Sequence, residues 1–273
     1  MRFPDARLAA AVLGMAASLL ANAAPETAKA EMVARLRSAL PHLQPADYAL
    51  GGAAVDPDLR EQVAANASAD QPILAEGKRL WKRKFRNKRS LEGCFPNGGR
   101  RVAAAYPQYN PRLKRVVTLE MAINQCLKSH NEPLYEPADP ATMGAVVAYV
   151  RSLAAGRKLL VRVPPAAVPL FEEGRRLHVN RLGQRNFACA SCHVQGAGKR
   201  FGEEALSPAV GQGLAYPVIR KGSAVTLHAR MRECLELMGA APFPAGSDEL
   251  NNLEYYLAYL GNGLPVTPNG WRP

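Results

Sequence analysis

The feature that most restricts the fold of this 273-residue chain is a domain-sized pattern that occurs twice. Residues 76–81 read Glu-Gly-Lys-Arg-Leu-Trp, and residues 173–178 read Glu-Gly-Arg-Arg-Leu-His. The Val-Thr-Leu of residues 117–119 returns at residues 225–227. Because the offset is roughly 100 residues, the repeated unit is a domain rather than a short solenoid repeat. We therefore predict two tandem domains of similar fold that arose by internal duplication.

The boundaries of the two copies follow from a proline-rich segment between them. Residues 163–169 contain three prolines and are predicted to be a linker. The first domain then covers residues 24–162, including an N-terminal extension, and the second covers residues 170–273. Apolar residues recur with helical spacing in both copies, and we find no convincing run of alternating strand residues. The predicted fold class is mainly α.

The N-terminus has the pattern of an export signal. Basic residues Arg2 and Arg7 flank the start of an apolar run, Leu8–Leu20, whose 13 residues fall short of a membrane span. Ala21-Asn22-Ala23 is a small-x-small cleavage site, so residues 1–23 are predicted to be a signal peptide. No later segment approaches a membrane span. The net charge of +12 attracts anions, but an exported protein is not expected to bind nucleic acid.

The motif that carries chemistry is Cys-x-x-Cys-His in the second copy, formed by Cys189, Cys192 and His193. This spacing is typical of c-type haem attachment: two thiols form thioether bonds to the haem vinyl groups, and the histidine binds the iron. A zinc site would need more cysteine or histidine ligands at similar spacing, and a thiol-redox site does not need the histidine. The motif predicts one covalently bound haem c in this copy.

The first copy has lost the motif. Leu91 stands at the position of the first motif cysteine and Phe95 at that of the histidine, so haem cannot be attached in the usual way. Cys94 remains, together with Cys126. An empty haem pocket would be costly, and its closure would bring these thiols together in a compartment that permits disulfides. We predict a Cys94–Cys126 disulfide; two free buried thiols are the alternative.

This pairing leaves Cys234 as the odd cysteine. It lies on a predicted helix over residues 226–238, on the same face as Met231 and Met238. A c-type domain places its distal iron ligand in this segment. Either methionine could bind the iron, as in an ordinary electron carrier, and Cys234 could equally be a small buried hydrophobe.

Two observations favour Cys234 itself as the ligand. The duplication aligns it with Cys126, which assigns the position to the haem pocket. Arg230 precedes it by four residues on the same helix, where a guanidinium would stabilise a thiolate and receive an anionic substrate.

A Cys-x-x-Cys-His motif followed by Arg230-x-x-x-Cys234 in the second of two cytochrome c-like copies resembles SoxA, the catalytic subunit of SoxAX cytochrome complexes. The resemblance covers roughly residues 70–265. It implies a single-haem member whose vacant first domain carries a disulfide. It further implies that His193 is the proximal ligand, that Cys234 is the distal ligand and the active-site thiol, found as a persulfide, and that Arg230 binds substrate.

The resemblance also implies a reaction and partners. An L-cysteine S-thiosulfotransferase of this family joins thiosulfate to a cysteine thiol of a SoxYZ carrier in the periplasm. Electrons pass through haem to a small partner cytochrome of the SoxX type and then to a soluble cytochrome c. The alternative from the residues alone is a plain periplasmic electron-transfer cytochrome with Met231 or Met238 on the iron and an inert Cys234.

A basic cluster in the first copy has no assigned role. Eight of the twelve residues 78–89 are lysine or arginine. They could dock a partner protein or form a solvated surface, and both readings stay open.

Overall fold

The computed structural model describes residues 25–273, so the predicted signal peptide 1–23 lies outside the described residues. The N-terminal extension contains helix α1 (25–39), a 3-10 segment (Pro45–Ala54) and α2 (Pro57–Ala65). The first copy contains α3 (Gln71–Lys82), α4 (Leu91–Cys94), the hairpin β1 (Gln108–Asn110) and β2 (Arg115–Val117), α5 (Leu119–Ser129) and α6 (Ala145–Ser152). The second copy contains α7 (Val168–Val179), β3 (Arg200–Phe201), β4 (Glu204–Ala205), α8 (Gln212–Ala215), β5 (Val218–Arg220), β6 (Ser223–Val225), α9 (Leu227–Leu237), α10 (Asp248–Leu260) and β7 (Trp271–Arg272).

Each copy is organised around a close crossing of its first and last helices. A glycine on α3 and one on α7 let the backbones touch: a Cβ on Gly77 would lie 2.0 Å from the carbonyl oxygen of Ala145 on α6, and one on Gly174 would lie 2.0 Å from that of Asn252 on α10. In both copies an antiparallel hairpin leads into the next helix. Both copies therefore share the order of a first helix, a hairpin, a capped helix and a last helix, and their origin by duplication stays a prediction.

Threonine caps begin the two helices that follow the hairpins. The side chain of Thr118 accepts a hydrogen bond from the backbone N–H of Met121 on α5, and Thr226 accepts one from Ala229 on α9. Each cap satisfies a backbone donor that the first helical turn leaves free, which fixes where the helix starts. The predicted helix over 226–238 is thus observed as α9, with Thr226 outside its first turn and Met238 as its C-cap.

The predicted linker, residues 163–169, overlaps the start of a helix, and its role as a domain boundary stays a prediction. Residues Pro165–Ala167 form a 3-10 turn, and α7 already begins at Val168. Pro169 falls in the first turn of α7, where the missing N–H of proline costs no hydrogen bond. The last two residues of the predicted linker therefore belong to the second domain's first helix.

One continuous apolar core runs through the extension and both copies. The copies also touch directly: a Cβ on Gly144, before α6, would lie 2.4 Å from the carbonyl oxygen of Ala224 on β6. Across the same boundary Arg115 on β2 pairs with Asp248 on α10 at 2.7 Å. Among residues 25–273, no helix is both long and apolar enough to cross a bilayer.

Candidate functional site

A cavity of about 870 Å³ opens in the second copy. Its walls are mostly apolar and come from helices α7 to α10, from the loop between α7 and α9, and from the extension. Residues that line it include Leu177, Phe187, Leu206, Leu227, Met231, Leu235, Met238, Leu250, Leu253 and Leu257. Volume and polarity suit a large, mainly apolar cofactor with a few polar groups.

The Cys-x-x-Cys-His residues lie on one wall of this cavity. Cys189, Cys192 and His193 occupy a short helical segment, residues 189–195, so the two thiols are one turn apart and face the same space. Burial raises the pKa of the Cys189 thiol to about 12 and also raises that of Cys192. Both groups are thus neutral thiols at neutral pH in the absence of a bond to another group.

His193 is oriented by the backbone. Its Nδ1 lies 2.8 Å from the carbonyl oxygen of Ser207, so Nδ1 carries the proton and donates it to that oxygen. The lone pair of Nε2 is then free for a metal. Burial lowers the pKa of His193, which keeps the ring neutral and suitable as a ligand.

Helix α9 brings Cys234 to the same cavity. Cys234 is half-buried and is not in a disulfide. Burial raises the pKa of its thiol, and the guanidinium of Arg230 opposes this shift. Met231 and Met238 line the cavity as well, so all three side chains that the sequence offered as a distal ligand reach this space.

Arg230 is held by carboxylates that the sequence analysis did not name. Its guanidinium pairs with Glu204 on β4 at 2.5 Å and with Glu233 on α9 at 3.0 Å. Glu233 also pairs with Arg220 on β5. Burial disfavours the charge of Arg230, but the Cys234 thiolate, Tyr216 and Glu204 outweigh it and raise the pKa of the guanidinium.

These partners differ in how visible they were in the sequence. Glu233 stands three residues after Arg230, a spacing that predicts an ion pair on one helix face. Glu204 and Arg220 come from two separate short strands, β4 and β5, and no local spacing signals their approach. The cavity wall formed by Tyr48 and Asp56 of the extension was also missed, since that segment showed no motif.

The equivalent region of the first copy is filled by side chains. Leu91 is fully buried, and Phe95 is 9% exposed and packs against Trp81 with ring centroids 5.0 Å apart. The indole N–H of Trp81 donates to the carbonyl oxygen of Gly98. The predicted disulfide between Cys94 and Cys126 is present, with Cα atoms 6.1 Å apart.

The donor set fits a c-type haem: two thiols one helical turn apart, an imidazole with a free Nε2, and an apolar cavity. Together with the helical fold, it defines a c-type cytochrome with haem c as cofactor. Residues 76–159 match the family described as SoxA/TsdA, cytochrome c domain. These residues are the first copy, which carries the disulfide rather than the motif.

The relatives define the family more closely. The chain is 37% identical to the L-cysteine S-thiosulfotransferase subunit SoxA of Chlorobaculum thiosulfatiphilum, over 80% of this chain and 77% of that protein. It is 33% identical to the protein of that name from Allochromatium vinosum, over 92% and 91%. The chain therefore belongs to the SoxA family.

A solved structure supports the fold. SoxXA from P. pantotrophus superposes on this chain with a TM-score of 0.72, over 80% of this chain and 84% of that one, at 24% identity. The mainly helical cytochrome c-like fold predicted from the sequence is confirmed by this similarity.

Proposed function

We propose that this chain is the catalytic cytochrome subunit of a thiosulfate-oxidising complex, an L-cysteine S-thiosulfotransferase. It joins thiosulfate to a cysteine thiol of a SoxYZ-type carrier protein. The relatives named for this activity support the reaction class. The observation that carries the assignment is that Cys234 and Arg230 line the same cavity as Cys189, Cys192 and His193. A plain electron carrier would not need a thiol and a guanidinium at this place.

One haem c is held by four residues of the second copy. Cys189 and Cys192 would form the thioether bonds, and His193 and Cys234 would bind the iron. When bound, the haem supplies an electron acceptor and a metal centre next to the Cys234 sulfur. The filled pocket around Trp81 supports a first domain without haem. We keep the proposed domain limits of 24–162 and 170–273, with the segment 163–169 between them, although its last two residues already form the start of α7.

Arg230 binds and orients the anionic substrate beside Cys234. Its side chain is 26% exposed, so an anion can approach from solvent. Glu204, whose side chain is 58% exposed, can turn away into water when a doubly charged anion takes its place. Glu233 is tied to Arg220 and keeps the guanidinium in place during this exchange. A charge-assisted contact of this kind offsets the repulsion between the anion and a sulfur nucleophile.

The reaction also requires partners outside the chain. A new bond between two sulfur atoms releases two electrons, whereas one haem accepts one at a time. A small cytochrome of the SoxX type, the partner named in the solved SoxXA structure, and a soluble cytochrome c acceptor complete the transfer. We place the protein in the periplasm, after removal of residues 1–23.

The test compares three variants of the haem-loaded protein in complex with its SoxX-type partner. Cys234→Ala should abolish thiosulfate conjugation to the carrier, a loss of at least about a thousandfold, because it removes the reacting sulfur. Met231→Leu and Met238→Leu are the matched controls from the same helix face and should retain activity. Haem content, measured on each variant, should stay at one per chain.

Spectra of the oxidised protein provide the second measurement. A methionine–iron charge-transfer band, together with an active Cys234→Ala variant, would return the chain to the class of plain electron carriers. Two haems per chain would refute the assignment of the first domain.

A further inference from the structure

The disulfide of the first copy is open to solvent on one side. Cys94, at the end of α4, is exposed, whereas Cys126 on α5 is only 6% exposed. Neither residue lines the 870 Å³ cavity, so this bond is separate from the site described above. Exposed disulfides are more labile than buried ones, because thiolates and related nucleophiles can reach and attack an exposed sulfur.

A histidine accompanies the disulfide. His130, the C-cap of α5, places a ring nitrogen so that it and the two sulfur atoms all lie within 4.8 Å of one another. Its ring packs on Phe85 at 5.3 Å between centroids. The imidazole is therefore fixed beside the bond rather than free to swing in solvent.

The tautomer of His130 follows from its neighbours. The side-chain oxygen of Asn87 accepts a hydrogen bond from the backbone N–H of Arg89, which identifies the other amide atom of Asn87 as nitrogen. That nitrogen donates to Nδ1 of His130 at 2.8 Å. Nδ1 is thus the acceptor, and the proton of the neutral ring is on Nε2.

The surroundings are strongly positive. The eight basic side chains of residues 78–89 are all exposed. Three of them lie at the end of α3, and the other five lie on the following loop, where the N–H of Phe85 donates to the carbonyl oxygen of Arg89. Within residues 25–273, Arg79 and Lys82 have carboxylate partners. The other six have no carboxylate within 4.0 Å in that part of the chain: Lys78, Arg83, Lys84, Arg86, Lys88 and Arg89. Such a cluster concentrates small anions at the surface.

We propose that the Cys94–Cys126 disulfide is a second sulfur-reactive site, where an anionic sulfur nucleophile attacks Sγ of Cys94, the exposed residue of the pair. The basic cluster draws in the anion, and the exposed position of Cys94 decides which sulfur is attacked. Sulfite is the simplest nucleophile of this class.

The step balances without an outside oxidant. The sulfur of sulfite bonds to Cys94 Sγ, the bond between Cys94 and Cys126 breaks, and its electron pair leaves on Cys126. The disulfide is the oxidant, and the products are an S-sulfonate on Cys94 and a thiol at Cys126. The N–H of His130 donates a hydrogen bond to the leaving sulfur, and water supplies the proton that converts this sulfur to a thiol.

His130 is needed because the helix does not favour this leaving group. Cys126 lies in the last turn of α5, where the unpaired carbonyl groups of the helix end disfavour a negative charge. Burial disfavours it further. A hydrogen bond from His130 stabilises the charge that develops on Cys126 until water protonates it.

The experiment treats the intact haem-loaded protein with sulfite and maps the products by peptide mass spectrometry after alkylation of new thiols. The expected result is one sulfite on Cys94 and an alkyl group on Cys126. Sulfite should cleave this disulfide at least about tenfold faster than it cleaves the disulfide of oxidised glutathione, which serves as the reference. The rate should fall as salt is added, because the anion is drawn in by surface charge. Mapping separates this product from any adduct at Cys234.

Matched variants test the two parts of the site. Arg86→Gln with Lys88→Gln should slow the reaction severalfold and weaken its salt dependence, whereas Lys158→Gln, also an exposed basic residue, should not. His130→Gln should slow it at least about tenfold while the disulfide remains formed. A rate equal to that of oxidised glutathione, a rate unchanged in both test variants, or sulfite found only at other cysteines would overturn the proposal. None of these results depends on thiosulfate turnover, so the proposed function is tested separately.

Discussion

His178 is a buried side chain whose chemistry differs from that of its counterpart in the first copy, Trp81. It is fully buried on α7 against Tyr256, with ring centroids 5.4 Å apart, and neither ring nitrogen has a hydrogen-bond partner in the described structure. Burial lowers its pKa to about 3, and the nearby His193 adds to the shift. The folded protein therefore holds this imidazole neutral well into the acid range.

The first prediction follows from that shift. His178 becomes protonated near pH 6.5 in the unfolded chain but only near pH 3 in the folded chain. The folded state therefore loses stability as the pH falls from 6.5 to about 3. His178→Phe removes this loss and should be more stable than the parent at pH ~4.5 by about 2–3 kcal/mol, with little difference at pH ~7. Guanidinium unfolding at both pH values measures it. His42→Gln, at an exposed position, should show no such divergence, and an unchanged acid response in His178→Phe would refute the prediction.

Single residues also show how far sequence reasoning reaches into the site. Cys234 was predicted because the duplication aligns it with Cys126. Arg230 was predicted because it lies about one helical turn before Cys234. Glu204 and Tyr216 were not predicted, because they reach the cavity from the short strand β4 and from the end of α8, whose positions depend on tertiary packing. A pattern within one helix is visible in sequence, whereas a contact between distant segments leaves no local periodicity.

Helices and strands differ in the same way at the scale of elements. Helix α10 has cap residues that are readable in a sequence: it begins after Ser247, whose side chain accepts from the N–H of Leu250, and it ends at Gly261. The hairpins β1–β2 and β5–β6 were missed, because strands of three residues are too short to show an alternating pattern. Cap residues indicate helix ends in the sequence itself, whereas short hairpins are fixed by their turns and by the helices that pack around them.

The crossing of α7 and α10 gives the second prediction. A Cβ on Gly174 would lie 2.0 Å from a backbone oxygen and could be accommodated only by moving the helices apart. Gly174→Ala should therefore lower the free energy of unfolding by about 3 kcal/mol, despite the better helix propensity of alanine.

The matched control is Gly93→Ala on α4, where nothing lies within 4 Å of the added Cβ. It should leave stability unchanged or raise it slightly. The denaturant midpoints of both variants measure this difference. Equal midpoints would show that the close approach of the α7 and α10 backbones does not exclude a Cβ at position 174.

At the scale of the whole molecule, the two copies meet through ionisable side chains at matching positions. Glu120 on α5 and His228 on α9 correspond in the alignment of the copies, and both face Glu254 on α10. Nε2 of His228 lies 3.1 Å from a carboxylate oxygen of Glu254, and Nδ1 accepts from the backbone N–H of Gly246. Oε2 of Glu120 is buried without a hydrogen-bond partner in the described structure. The boundary between the copies thus encloses two carboxyl groups and one imidazole.

The last prediction concerns the protonation of the Glu120 carboxyl group at this boundary. Burial and the charge of Glu254 raise the pKa of Glu120, and His228 and Arg151 oppose the shift only in part. A carboxyl with a raised folded pKa stabilises the protein below its unfolded pKa of about 4.3, and this contribution is lost as pH rises through the folded pKa. Glutamine is neutral throughout, so Glu120→Gln should gain stability relative to the parent as pH rises above the unfolded pKa of about 4.3. Unfolding curves at several pH values test this, with the exposed Glu136→Gln as control. If the free energies of unfolding of Glu120→Gln and the parent differed by the same amount at every pH, Glu120 would be ionised in the folded protein. The boundary between the copies would then hold a charged carboxylate and not a protonated one.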